Sequence, residues 1–232
     1  MIQFRSLSKS FGKLEVLKSL DATIQDQKVT AIVGHNASGK TTLIKCLLGL
    51  DQYHQGEIRI DEHVLDGDWN YREGIGYMPQ IARFPDNLSS KELLDMIIDV
   101  REDKGNRRDE LIEYFRIGDE MEKPLKTLSG GTRQKINVIL ALMFNPQLLI
   151  LDEPTSGLDP VSSSRLKDRI LEEKANGKTI IITSHIMSEI QELADTVLYL
   201  LDGQIRFDGP VDELIQRSGE KNLERAIAKM MS

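Results

Sequence analysis

The stretch Gly34-His35-Asn36-Ala37-Ser38-Gly39-Lys40-Thr41-Thr42 fits the pattern G-x-x-x-x-G-K-[ST]. Its glycines let the backbone turn successive N–H groups inward and form a nest for an anion. A helix starting at its end adds unpaired N–H groups and a positive dipole end. Lys40 supplies a point charge for the β- and γ-phosphates of a nucleotide, and the Thr41 hydroxyl is placed to ligate Mg2+. Further along, Leu148-Leu149-Ile150-Leu151-Asp152-Glu153 ends an apolar run in two carboxylates. Asp152 would hold the metal through water, opposite Thr41. Glu153, on the other side of the strand end, would orient or deprotonate a water aimed at the γ-phosphate. On their own the two acids also read as solvated carboxylates before a turn.

A second anion site stands at Leu128-Ser129-Gly130-Gly131-Thr132-Arg133-Gln134-Lys135. Ser129, Gly130 and Gly131 open a strongly apolar helix, and a helix N-terminus attracts phosphate. One triphosphate does not need two such sites from one chain. In isolation Ser-Gly-Gly also reads as a flexible helix start.

The elements that must position these residues follow from apolar spacing. Val29–Val33 reads as a buried strand before the glycine loop, and Leu43, Ile44, Leu47 and Leu48 as a helix after it. Leu148–Leu151 and Thr179–Thr183 are continuous rather than alternating, as parallel strands covered on both faces are. Ile2–Leu7 and Glu15–Ile24 read as early strands of an antiparallel sheet, with a turn over Ser8–Lys13 between them. Glu57–Ile60 is another short strand, and Gly74–Gln80 returns to the core and stops at Pro79.

From Phe84 to about Asn145 the texture is helical. Ser89-Ser90-Lys91-Glu92 is a capping box. Arg107–Arg116 is a helix with Gly118 as its stop. Asp159-Pro160 opens a helix as N-cap and first residue, with Leu166, Ile170 and Leu171 inward and Gly177 as its stop. Met187–Ala194 is helical, and strands Thr196–Leu201 and Gln204–Phe207 turn at Asp202-Gly203. The tail from Val211 reads as helical and polar.

The 232 residues suit one large domain or one domain with an inserted lobe. Residues 1–80 and 146–210 would form the core with its antiparallel β subdomain, 81–145 the helical lobe, and 211–232 a helical tail. The net charge of −7 argues against nucleic acid as the main partner. The single cysteine, Cys46, allows no intrachain disulfide and reads as a small core residue. No secretory segment is expected at the start. No run approaches the ~20 apolar residues of a membrane span, so a separate subunit would have to supply any spans.

These motifs together resemble the ATP-binding subunits of ABC transporters over nearly the whole chain. Gly34–Thr42 is similar to the family's Walker A and Leu148–Glu153 to its Walker B. Leu128–Gln134 resembles the LSGGQ signature, with Thr132 at its fifth position. Gln80 resembles the Q-loop glutamine that touches magnesium, Ser156-Gly157-Leu158-Asp159 the D-loop, and His185 the switch histidine. Phe11 stands where the family stacks an aromatic on adenine, and Val16 where an aliphatic helps it.

The resemblance implies an α/β P-loop NTPase (RecA-like) core with a mainly parallel sheet, an antiparallel β subdomain and an inserted helical subdomain. It implies an ATP hydrolase using ATP and Mg2+, with Glu153, His185 and Lys40 as catalytic residues. Two chains, identical or closely similar, would close head-to-tail on ATP and drive an integral-membrane permease. The chain would then lie in the cytoplasm, peripheral on the inner face of the cell membrane.

The length and short tail resemble exporters of the ABC-2 type. Gly34-His35-Asn36 is similar to ATPases that accompany nitrous-oxide-reductase copper-site maturation. The competing class is a soluble ABC-type ATPase acting as a mechanical clamp. Its repair type would need a long coiled coil between Thr42 and Leu128, where no sustained heptads stand. A GTP-binding switch would need an Asn-Lys-x-Asp motif, which the sequence lacks.

Overall fold

Two sheets divide the chain in the computed structural model, which describes all residues except Asp68, Lys104, Ser232 and the side chain of Met231. The final residue of the expected tail therefore lies outside the described residues. β1 (Ile2–Phe11) and β2 (Leu14–Ile24) form an antiparallel hairpin. β3 (Val29–Val33) and α1 (Lys40–Leu47) flank the glycine loop. β4 (Gln55–Ile60) and β5 (His63–Val64) complete a four-stranded sheet in the order β2-β1-β4-β5.

β1 runs through the segment expected to turn, as far as Phe11. Polar Ser8 and Ser10 stay extended because both sides of the strand are occupied. Ser8 pairs with Gln55, and the Ser10 N–H donates to His54 Nδ1 at 3.2 Å.

The second sheet holds the mainly parallel strands. β6 (Ile75–Met78) is followed by α2 (Ser90–Arg101), α3 (Arg108–Tyr114) and α4 (Gly130–Leu142). Then come β7 (Leu148–Asp152), α5 (Pro160–Ala175), β8 (Thr179–Thr183) and α6 (Met187–Leu193). β9 (Thr196–Leu201), β10 (Gln204–Pro210), α7 (Val211–Ser218) and α8 (Leu223–Met231) close the chain. The strand order is β10-β9-β3-β8-β7-β6, parallel throughout except at β10.

The continuous apolar strands are covered on both faces, as their composition requires. Leu149 and Leu151 of β7 join the core beneath the helices, while Leu148 and Ile150 join the core beneath α1 and the antiparallel sheet. Ile180 and Ile182 against Ile181 divide β8 in the same way. Each such side chain contributes about 1.5–3 kcal/mol by leaving water.

The helix starts follow the local chemistry read above. The Ser89 hydroxyl accepts from the Glu92 N–H at 3.2 Å and Glu92 accepts from the Ser89 N–H at 2.7 Å, a complete capping box. One helix stop differs. α3 ends in a Schellman motif carried by Arg116 at φ 52°, not by Gly118. The Arg116 N–H reaches Glu113 O and the Ile117 N–H reaches Ile112 O. Buried Ile117 supplies the apolar contact that holds a non-glycine residue left-handed.

Leu171 of α5 faces solvent instead of the core, while Leu166 and Ile170 are buried as expected. The tail is not polar all round. Val211 and Leu214 of α7, and Leu223, Ala226 and Ile227 of α8, are buried in the helical-side core. The spacing of three and four residues makes this stripe legible in the sequence.

A buried ionic cluster ties α3 to α5. Glu173 is 1% exposed and pairs with Arg107 at 2.6 Å and Arg169 at 2.9 Å. Arg169 also pairs with Glu110 at 2.7 Å. Among the described residues, no helix is long and apolar enough to cross a membrane.

Candidate functional site

Because β3, β8, β7 and β6 are adjacent and parallel, their carboxyl ends lie along one edge, where ligands of such sheets bind. The glycine loop leaves β3, Asp152 and Glu153 end β7, His185 follows β8, and Gln80 follows β6. An open cleft of about 310 Å³ lies there. Asn36, Ala37, Ser38, Gly39, Lys40, Thr41, Thr42, Gln80, Asp152 and Glu153 line it, with Leu14 and Val16 from β2 on the other wall.

The loop's shape explains its residues. A Cβ at Gly34 would stand 2.2 Å from the Leu200 carbonyl, so the strand can leave the sheet here only as glycine. Gly39 is left-handed at φ 109° and stands at the N-cap of α1. Ala37 is also left-handed, at φ 63°, where a side chain costs about 1–2 kcal/mol. His35 is held by its neighbours. Its Nδ1 lies 2.5 Å from Asn36 O and its Nε2 3.4 Å from Asp202 of the β9–β10 turn. That turn also braces the loop from behind, the Gly203 N–H donating to Ser38 O at 3.2 Å.

Lys40 folds back over the loop, donating to Gly34 O at 2.7 Å and His35 O at 3.0 Å. Burial pushes its pKa below the usual lysine value, against the pull of Glu153 and Asp152. A polyanion in the cleft would offset that desolvation. The oxygen set of Thr41, Asp152 and Gln80 consists of hard ligands and fits magnesium rather than a soft metal. Bound there, the metal would neutralise charge on the β- and γ-phosphates.

Thr183 of β8, a residue not singled out in the sequence, organises the acids. Its hydroxyl donates to Asp152 and accepts from the Glu153 N–H at 3.0 Å. Glu153 itself is left-handed at φ 51°, which turns it off the strand. Its Oε2 lies 2.7 Å from His185 Nδ1. The two groups therefore form one unit at the rim, with Glu153 in the cleft wall and His185 71% exposed. The unit can take or hold a proton from a water lying over the loop.

Other expected residues lie outside the cleft lining. Phe11 is exposed at the hairpin tip, and its register partner Leu14 lines the wall instead. Leu14 is a large apolar residue left 66% exposed beside a tight turn, and that exposure is its signal. Ser129 caps α4, accepting from the Thr132 N–H at 3.1 Å, so it is the start of a regular helix. Gly130 is exposed beside it. Gly131 packs on the next segment, its Cβ position standing 3.2 Å from Gly157 O.

Asp159 caps α5, accepting from the Val161 and Ser162 N–H groups at 3.0 Å. The Ser162 hydroxyl, which also donates to Asp159, is the main cause holding its carboxyl below the usual range. The Ser129 and Ser156–Asp159 segments thus share one surface, separate from the cleft lining.

α4 links that surface to the cleft. Gln134 Nε2 donates to Pro154 O at 3.3 Å, just after Glu153. Asn137 Nδ2 donates to Pro79 O at 2.9 Å, just before Gln80. Both amides are buried. Their polarity on the apolar face of a helix is the signal that could have picked them out.

Comparison with known proteins agrees with this geometry. A family profile described as ABC transporter matches residues 17–156. The lantibiotic transport ATP-binding protein SrtF of Streptococcus pyogenes is 32% identical over 227 residues, covering 97% of this chain and 94% of that protein. The L-cystine import ATP-binding protein TcyC of Bacillus subtilis (strain 168) is 29% identical, covering 100% and 99%. A solved structure of an ATP-binding subunit of an ABC transporter superimposes with a TM-score of 0.93 at 26% identity, each chain covered in full. The chain belongs to the ABC transporter family, as an ATP-binding, ATP-hydrolysing subunit with the P-loop α/β cassette fold.

Proposed function

We propose that this ABC-family ATPase works as a head-to-tail pair and powers a separate integral-membrane permease. One observation carries the reading: the cleft holding Lys40, Thr41, Asp152 and Glu153 is not lined by Ser129, Gly130 or Gly131. The chain presents a nucleotide cleft on one surface and an anion-attracting helix end on another. A second copy, or a closely similar ATPase subunit, turned head-to-tail brings its Ser129–Gly131 to the γ-phosphate in the first cleft, and Asp159 to the same seam.

ATP is held by the loop Gly34–Thr42, its base against Phe11 and Val16. Lys40 leaves its two loop carbonyls for the β- and γ-phosphates. Thr41, Gln80 and, through water, Asp152 would hold Mg2+, which would supply positive charge beside the phosphates. Glu153 aligns the attacking water and accepts its proton, while His185 holds that carboxylate in position and adds charge at the γ-phosphate. Closure moves whatever docks beside the helical lobe, with α4 tied to the cleft through Gln134 on Pro154 O and Asn137 on Pro79 O.

The permease places the chain on the cytoplasmic face of the membrane. Export is the direction we favour, on the similarity to SrtF, named for lantibiotic transport, over that to TcyC, named for L-cystine import. The link to nitrous-oxide-reductase copper-site maturation rests on Gly34-His35-Asn36 alone. Reconstitution with the membrane protein encoded beside this gene tests the reading. Coupling should change the ATPase rate severalfold in proteoliposomes. A rate indifferent to that protein, with stimulation by ribosomes instead, would favour the soluble clamp.

A further inference from the structure

Lys9 is an expensive residue where it stands. It is 8% exposed, on a strand of the antiparallel sheet, and buried ammonium groups cost solvation and rotamer freedom. Among the described residues it has no carboxylate partner. Its Nζ donates to Gln52 O at 2.7 Å and lies 4.5 Å from the centroid of the Phe11 ring. The ring face carries negative electrostatic potential, and a desolvated cation above it is held more strongly than an exposed one. Phe11 in turn keeps 48% of its surface open. It sits opposite Leu14 in the hairpin register, and directly opposed residues point to the same side of a sheet. Leu14 lines the nucleotide cleft. The ring therefore has a cation on one face and lies on the cleft side of the hairpin.

We propose that Lys9 is a positioning residue for the nucleobase, pinning Phe11 by one ring face so that the other serves as the platform for adenine. The proposal rests on the reading of Phe11 as the base platform and adds what sets that platform's orientation and strength. A cation on one face draws electron density from the ring. An electron-rich purine then stacks more strongly on the opposite face. Gln52 O fixes the ammonium from below, in the segment that follows α1. The base wall and the phosphate helix are thereby set relative to each other.

The test compares equilibrium binding of Mg2+·ATP with that of Mg2+·tripolyphosphate, a probe without a base. Four proteins are measured: Lys9→Met, Lys9→Arg, Phe11→Leu, and Lys9→Met with Phe11→Leu. Methionine keeps the length of the stem and removes the charge, and thermal unfolding confirms that each variant is folded. Lys9→Met should weaken ATP about three- to tenfold and leave tripolyphosphate unaffected. Lys9→Arg, which retains the cation over the ring, should recover most of the loss. With Phe11→Leu already present, Lys9→Met should add nothing.

An equal loss for ATP and tripolyphosphate would assign Lys9 to the segment after α1 and overturn the proposal, as would full additivity in the double variant. If Phe11→Leu leaves ATP affinity intact, the base-platform reading itself falls and takes the proposal with it. Those results are distinguishable because only the last concerns Phe11 alone.

Discussion

The cleft and the signature surface are both built on helix N-termini, yet they are finished to different degrees. At the cleft, α1 begins beside a loop whose carbonyls already satisfy Lys40, with Asp152 and Glu153 fixed through Thr183. At the signature surface, α4 begins with a self-capped Ser129 and two glycines, and none of the acids or the loop lysine lies in its company. One region gathers the loop, the lysine and the acids that a triphosphate with its metal would require, and the other offers a helix N-terminus without them. The difference supports the proposal that the catalytic unit is larger than the chain.

Three substitutions probe that contrast, in decreasing order of effect. Glu153→Gln should lower kcat by about 10²–10⁴-fold, the range for a lost general base, while ATP still binds and locks the pair. Single-turnover and sizing experiments read both halves, and unchanged hydrolysis would remove Glu153 from its role. Lys40→Ala removes a charged donor and should weaken ATP about ten- to hundredfold, as read by calorimetric titration. Undiminished affinity would mean that the cleft is not the nucleotide site. Ala37→Gly relieves a left-handed side chain and should stabilise the free chain by about 0.5–1 kcal/mol, shifting thermal unfolding upward by a few degrees. A decrease would show that the alanine side chain makes a contact worth more than its strain.

Much of this was legible in the sequence where one residue type had one physical reason to be present. The five-residue apolar strands could only be buried on both faces, and Ser89, Ser129 and Asp159 stood where helices needed a cap. What escaped depends on partners far along the chain. β1 reaches Phe11 only because residues 54–55 pair alongside it. Arg116 can replace glycine only because Ile117 is buried. Thr183, Gln134 and Asn137 acquire meaning only once β7, β8 and α4 are side by side. Glu173 reads as one charge among many on a helix, yet it is buried between Arg107 and Arg169.

The claim that each site needs two chains is tested most directly by mixing two inactive variants. Lys40→Ala spoils the cleft, and Ser129→Arg spoils the signature surface. In a mixed pair, the chain carrying Ser129→Arg keeps a good cleft, and the chain carrying Lys40→Ala faces it with a good signature. An equimolar mixture should therefore regain ATPase activity that neither variant has alone, up to about a quarter of the wild-type rate if pairs form at random and the two sites turn over independently. A mixture as inactive as its parts, with mixed pairs demonstrated by mass, would contradict a site shared between chains.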